Sequence, residues 1–286
     1  MLIKINDCKN KSMKNKKLIG FLIVLIFLTV LVVLNSTLFT LQKISVNWLT
    51  TKYNLESIKD YTLVDGIERG ESIFLVKKNE IANQLEKKYP YLRVVSIETK
   101  FPNKIVIHSA ERESMFAIKI SDDNYAVCDE LGKVLSSSGS GIFAGSDLGA
   151  KPIKVILNSV SLSSDDMQAG TQIQNEEIVN ILTKLSKSLR ESNYTPTTSK
   201  GIFTSLEIKS TGDNAELYFK TRNGMDILLK NAMDYTTDKC LLALERYNYF
   251  HQEGVVSGGI MVWNDDSNKI YAVYKDQTDW EKLTGI

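Results

Sequence analysis

YLRVVSIETKFPNKIVIHSAER, residues Tyr91–Arg112, decides how this chain is read. Val94, Val95, Ile97, Ile105, Val106 and Ile107 give the stretch the β-branched content that suits a pleated, half-buried surface. On an extended chain Leu92, Val94, Ser96 and Glu98 point one way, and Arg93, Val95, Ile97 and Thr99 the other. The alternation is imperfect, but the punctuation is clear. Phe101-Pro102-Asn103-Lys104 supplies a turn, and Ile105–His108 starts the returning strand.

Working back from this hairpin, Asn79–Tyr89 reads as a helix, with Ile81, Leu85 and Tyr89 on one face and Pro90 at its end. Gly70-Glu71-Ser72-Ile73-Phe74 is a turn leading into a hydrophobic anchor, and Asn54–Asp60 is a weaker helical stretch. Lys43–Trp48, KISVNW, alternates polar and apolar residues as a first strand. The order strand, helix, helix, strand, strand predicts an α+β unit with two helices on one face of a small sheet.

Further upstream, Leu18–Leu34 (LIGFLIVLIFLTVLVVL) has no charged residue. Continued through Phe39 it is a helix of about 22 residues and about 33 Å, enough to cross the hydrocarbon core of a bilayer. A buried core helix would show a polar face, and none is present. A cleaved signal peptide would be shorter and end in small residues, which Phe39 and Leu41 do not supply. Lys4, Lys9, Lys11, Lys14, Lys16 and Lys17 precede the span with Asp7 as the only acid among them, and the next cations are Lys43 and Lys52. Positive flanks stay inside. The expectation is a single-pass type II topology, with a cytoplasmic tail over residues 1–17, a transmembrane helix over 18–39 and everything from residue 40 outside.

Downstream of Arg112 the chain is mostly strands. Phe116–Ile120 and Asn124–Cys128 flank the turn Ser121-Asp122-Asp123, and Asp129–Lys133 turns again before Val134-Leu135. Ser136–Gly149, rich in Ser and Gly, reads as a loop, and Pro152–Leu157 as a strand. Asn175–Leu189 is a helix whose Ile178, Ile181, Leu182, Leu185 and Leu189 share a face. Strands follow at Ile202–Ile208, Ala215–Lys220 and Met225–Leu229. Asp234 is the expected cap of a last helix reaching Tyr249, with Leu241, Ala243 and Leu244 towards the core. Gly259–Trp263 and Ile270–Tyr274 are the final strands. The region is expected to be a mixed β-sheet domain with two flanking helices.

Little in the sequence asks for catalysis. A net charge of +1, with 43% hydrophobic and 24% charged residues, excludes a disordered chain and lacks the basic domain of a nucleic-acid binder. His108 and His251 are the only histidines, and neither has a second ligand at a metal-binding spacing. Asp122-Asp123, Asp165-Asp166 and Asp265-Asp266 fall at turns, where Asp is favoured for backbone reasons. Thr237-Asp238-Lys239-Cys240 faintly resembles a sortase cysteine site, but lacks its leucine and sits in a helical pattern. Cys8 reads as an idle thiol, with lipidation as the alternative, and Cys128 and Cys240 as small core residues, with their pairing left open. No catalytic, cofactor-binding or metal-binding residue is assigned.

The arrangement resembles the FtsQ/DivIB family of bacterial cell-division proteins. KISVNW soon after the apolar span, then Gly70–Phe74, IANQLEKKYPYL and VVSIETKFPNKIVIHSAER carry the match. The most specific part is Phe101-Pro102-Asn103 followed by a strand ending in Glu111-Arg112, which is similar to the family's POTRA module. Tyr125–Leu135 is similar to the hairpin opening the family's second, β domain; residues 136–286 match by element order. Where the family often has an aspartate before the C-terminal turn, this sequence has Ile260-Met261-Val262-Trp263. The resemblance implies a POTRA module over 40–112, a β domain over 113–280 and a short tail over 281–286.

It further implies a non-enzymatic divisome scaffold at the septal cell membrane, without cofactors or nucleic acid. Its expected partners are small FtsL-like and FtsB/DivIC-like membrane proteins, with septal peptidoglycan synthases placed nearby. The last strands would offer the small partners a free edge. Trp263, Tyr271, Val273 and Tyr274 are the candidate contacts, because aromatic residues dominate interface hot spots; the plainer reading is that they pack the core. Two alternatives stay open. A POTRA-bearing export or envelope-assembly component would chain several such modules to a barrel, and a membrane-anchored wall enzyme would need perturbed acids in a pocket.

Overall fold

The computed structural model describes residues 18–33, 39–48, 72–144, 151–163 and 168–285. The expected helix over Asn54–Asp60 and the acid pair at 165–166 lie outside these residues. Two compact units emerge: one takes the chain to Leu85 together with Arg93–Glu111, the other takes Glu86–Leu92 and everything from Arg112.

In the first unit helix α1 covers residues 18–33, and each of its residues is exposed. Among the described residues no helix is long and apolar enough to cross a membrane. Of the span expected over 18–39, residues 34–38 lie outside the described set. Strands β1 (Lys43–Trp48), β2 (Leu92–Lys100) and β3 (Lys104–Glu111) form a sheet in the order β1-β3-β2. The two expected strands of the Tyr91–Arg112 stretch are therefore present, and β1 runs parallel to β3 with Lys43 opposite Lys104. Central β3 is the most buried of the three, with Ile105 and Ile107 sealed from solvent. Helix α2 (Lys78–Lys88) buries Ile81 and Leu85, two of the three periodic residues that predicted it, and ends just before the third, Tyr89.

The second unit holds nine strands in the order β12-β11-β10-β9-β8-β7-β4-β5-β6. They are β4 (Phe116–Ser121), β5 (Asn124–Cys128), β6 (Val134–Ser138), β7 (Ile153–Leu157), β8 (Phe203–Ser210), β9 (Glu216–Thr221), β10 (Asp226–Leu229), β11 (Gly259–Asn264) and β12 (Ile270–Lys275). The sheet is mixed, with parallel pairs at β4/β7, β7/β8 and β10/β11. Helices α3 (Glu176–Glu191) and α4 (Pro196–Ile202) connect β7 to β8, and α5 (Thr236–Gln252) connects β10 to β11. Both crossovers step the same way along the sheet, so a common right-handed sense puts α3 and α5 on the same face. There Ile178, Ile181, Leu182, Leu185 and Leu189 of α3 meet Cys240, Ala243, Leu244 and Tyr247 of α5 over the main core.

Several expectations need correction. The stretch Ser136–Gly149 is not all loop: β6 runs to Ser138, because backbone pairing of Ser136 and Ser137 with β5 needs no particular side chain. Asp234 does not cap α5. Tyr235 stands at that cap in the left-handed region, φ 50°. Leu241 points outward, 43% exposed, while Cys240 and Tyr247 take the inner face beside Ala243 and Leu244. Nor is α5 the last helix, since α6 (Gln277–Thr284) follows β12. The two long helices flank the sheet as expected, and the short α4 and α6 are additional.

Candidate functional site

Strand β12 is the last strand on one side of the nine-stranded sheet, so its geometry follows from how β11 is held. The amides of Asp226 and Lys230 donate to the carbonyls of Gly258 and Val262, at 3.0 and 2.9 Å. Val262 therefore aims its backbone at β10. Alternation along β11 then aims Gly259, Met261 and Trp263 at β12, where they face Lys275, Val273 and Tyr271. The intervening residues of β12, Ala272 and Tyr274, aim their N–H and C=O groups away from the sheet. Among the described residues β12 pairs with β11 alone.

The register also sorts the side chains. Tyr274 and Ala272 lie opposite Ile260 and Val262, on the face that carries α3 and α5. The Tyr274 ring packs on Phe250 at 4.6 Å between centroids, and its hydroxyl donates to Ser257 O at 3.1 Å. Trp263, Tyr271 and Val273 lie on the opposite face. There Trp263 stacks on Tyr271 at 5.4 Å, and Val273 is 38% exposed opposite Met261. Three of the four candidate contacts thus come together, and Tyr274 does not join them.

Local chemistry holds this edge in place. Asp265 accepts from the amides of Ser267 and Lys269 and from the Tyr271 hydroxyl, each at 2.9 Å, which fixes the β11–β12 turn. The Lys269 amide is the main reason its carboxyl sits below the usual range, and the turn reading of this acid is the right one. Lys239 is wholly buried on α5. Its ammonium donates to Lys230 O, Asn231 O and Asn264 Oδ1, at 2.9, 2.6 and 2.6 Å, so all three donors are satisfied and the end of β11 is tied to α5. Burial still lowers its pKa.

After β12 the chain turns back and α6 lays Trp280 on the outer face, against Tyr218, Leu228 and Met261. The indole stacks on Tyr218 at 6.0 Å and passes over Gly259, where any Cβ would overlap it. Sequence reasoning missed Lys239, Gly259 and Trp280. The Gly258-Gly259 pair opening a strand was the available sign of a close approach.

Groups that could carry catalysis are placed differently. Cys240 is buried, and burial pushes its thiol up to about 12, the reverse of an activated nucleophile. Cys128 and Cys240 are both buried and neither is in a disulfide, so the core reading of each is the right one. His108 Nε2 lies 3.6 Å from Glu98, and His251 Nδ1 lies 3.0 Å from the Asn223 amide. Among the described residues no group of three or more His, Cys, Asp or Glu could hold a metal. An open groove of about 750 Å³ along Gln172, Gln174, Glu176 and Asn180 contains no His or Cys.

Residues 39–112 match the model of the POTRA domain, FtsQ-type. Over 206 residues the chain is 26% identical to the cell division protein DivIB of Clostridium botulinum strain Hall, covering 72% of this chain and 73% of that one. The DivIB of strain Loch Maree is 25% identical over the same shares. The chain is thus similar to an FtsQ-type POTRA domain in its first unit and to cell division proteins over most of their length. These likenesses support the resemblance to the FtsQ/DivIB family that the sequence carries.

Proposed function

We propose that this protein is a membrane-anchored, non-enzymatic scaffold of the division septum. It binds small FtsL-like and FtsB/DivIC-like membrane proteins by strand addition to β12, and through them helps position the septal synthases. The observation that carries the reading is the unpaired backbone of Ala272 and Tyr274 at the end of the sheet, a row of donors and acceptors suited to an incoming strand. Beside it Trp263, Tyr271 and Val273 offer a side-chain surface on one face. The anchor rests on α1, apolar on every side, and on the six lysines ahead of it, which favour a cytoplasmic N-terminus.

The test is co-purification of the full chain with each candidate partner, with Val273→Glu as the variant. A carboxylate at 273 would stand among Met261, Trp263 and the side chains of an added strand, so partner capture is expected to be lost while circular dichroism stays unchanged. Undiminished capture by Val273→Glu removes the edge from the reading. Failure of the folded parent to capture either partner removes the scaffold itself.

A further inference from the structure

Three phenylalanines from separate parts of the first unit meet at one end of its sheet. Ring centroids lie 5.4 Å apart for Phe39 and Phe74, 5.6 Å for Phe74 and Phe101, and 6.2 Å for Phe39 and Phe101. The cluster is not a core. Phe74 is 58% exposed, Phe101 64%, and the adjacent Leu75 74%.

The backbone holds the rings in this position. Ile73 N–H donates to Phe39 O at 2.7 Å, Thr40 bridges Ser72, and the amides of Gln42 and Lys43 both donate to Asn103 O, at 3.0 and 3.2 Å. Leu41, two residues after Phe39, and Ile73, next in chain to Phe74, already occupy the interior. The rings cannot turn inward without displacing them. Lys43 and Lys104 sit side by side in register at the same end, which adds positive charge beside the apolar patch.

The chain itself limits what this patch can meet. Helix α1 ends its described course at residue 33, and six peptide units to Phe39 reach at most about 20 Å even fully extended. At 1.5 Å per residue, residues 18–33 give about 24 Å of apolar helix, short of a hydrocarbon core of about 30 Å. With α1 in a bilayer, that reach keeps Phe39 near the hydrocarbon boundary.

We propose that Phe39, Phe74, Phe101 and Leu75 form a membrane-docking patch that enters the interfacial zone of the bilayer holding α1. The proposal rests on the anchor reading above. Aromatic and leucine side chains partition about 5–10 Å into the headgroup–acyl boundary, and lysines beside them meet lipid phosphates.

The test uses the full chain in lipid nanodiscs with acyl chains brominated near the headgroups, and two variants that each add one indole, Leu25→Trp and Phe101→Trp. The indole at 25 should be quenched if α1 is in the bilayer, and the one at 101 should lose at least about half its emission at the depth expected of a docked patch. Quenching at 25 but not at 101 overturns the patch and leaves the anchor standing. Quenching at neither overturns both. An indole at 101 shielded from aqueous acrylamide yet untouched by brominated lipid means that a protein covers the patch, and also overturns the proposal.

Discussion

Proline at two adjacent positions of β12 should have opposite effects. The Val273 N–H faces Met261 within the ladder, whereas the Ala272 N–H faces outward, because Val262 opposite it gives its carbonyl to Lys230. Val273→Pro removes a sheet hydrogen bond and strands the Met261 carbonyl, at a cost of about 1–3 kcal/mol. For a unit of this size that lowers the melting temperature by about 2–4 °C per kcal/mol. Ala272→Pro removes no ladder bond and places proline where strands accept it, at an open edge, so its stability should stay within about 1 kcal/mol of the parent. Its effect falls on the partner. One strand-addition hydrogen bond disappears and the partner's carbonyl loses its donor, about 2–4 kcal/mol in total, or roughly thirtyfold to several hundredfold in Kd. Urea unfolding and titration of the full chain with a partner ectodomain read the two quantities separately. Parent-like binding by Ala272→Pro would refute the edge as the docking strand, and equal stability of the two proline variants would refute the assignment of backbone directions.

Other parts of the second unit give sharper stability predictions. Trp280→Ala should cost about 3–5 kcal/mol and Gly259→Ala about 1–3 kcal/mol by overpacking against the indole. The double variant should cost less than the sum by about 1 kcal/mol or more, measured as a urea double-mutant cycle. Arg112 donates to Glu86 at 2.8 Å, Asp129 at 2.5 Å and Leu92 O at 3.3 Å from a buried position. Arg112→Ala should cost about 3–5 kcal/mol, and Arg112→Lys should fail to restore it, because an ammonium cannot form the same fork. The Asp226 carboxyl is raised, by burial first, despite the Tyr218 hydroxyl donating to it at 2.6 Å. A raised carboxyl binds more protons folded than unfolded, so its contribution lowers stability as pH rises from the unfolded to the folded pKa. Asp226→Asn should therefore gain on the parent between mildly acidic and neutral pH, in unfolding curves taken at each.

What the sequence made legible was what its periodicity encodes. The turn between β4 and β5 and the inner face of α3 could be read because side-chain spacing alone specifies them. Helix α5 was found, and Ala243 and Leu244 do lie on its inner face, but Leu241 does not. Leu241 looks like a core residue by type, yet Cys240, Ala243, Leu244 and Tyr247 hold that face, and Tyr235 rather than Asp234 sets where the helix begins. The short helices α4 and α6 offer too few residues for a period to show. At the candidate site, alternation marked β11 and β12 as strands. It could not tell which backbone groups face outward, because that depends on the hydrogen bond between Lys230 and Val262, two residues far apart in sequence. For the same reason Tyr274 was grouped with Trp263, Tyr271 and Val273, from which the sheet separates it.

Along β12, even-numbered residues offer backbone outward and odd-numbered ones offer side chains to the outer face. Backbone hydrogen bonds are blind to sequence, so an edge that grips by them asks only that the incoming segment be extended and free of proline. On the proposed reading, identity would be read separately, by the few side chains that meet Tyr271, Val273 and Trp263. Two chains joined this way are free to diverge at most positions without losing each other. Changing which partner is accepted would take a few substitutions on one face, with the hydrogen-bonded join itself left as it was.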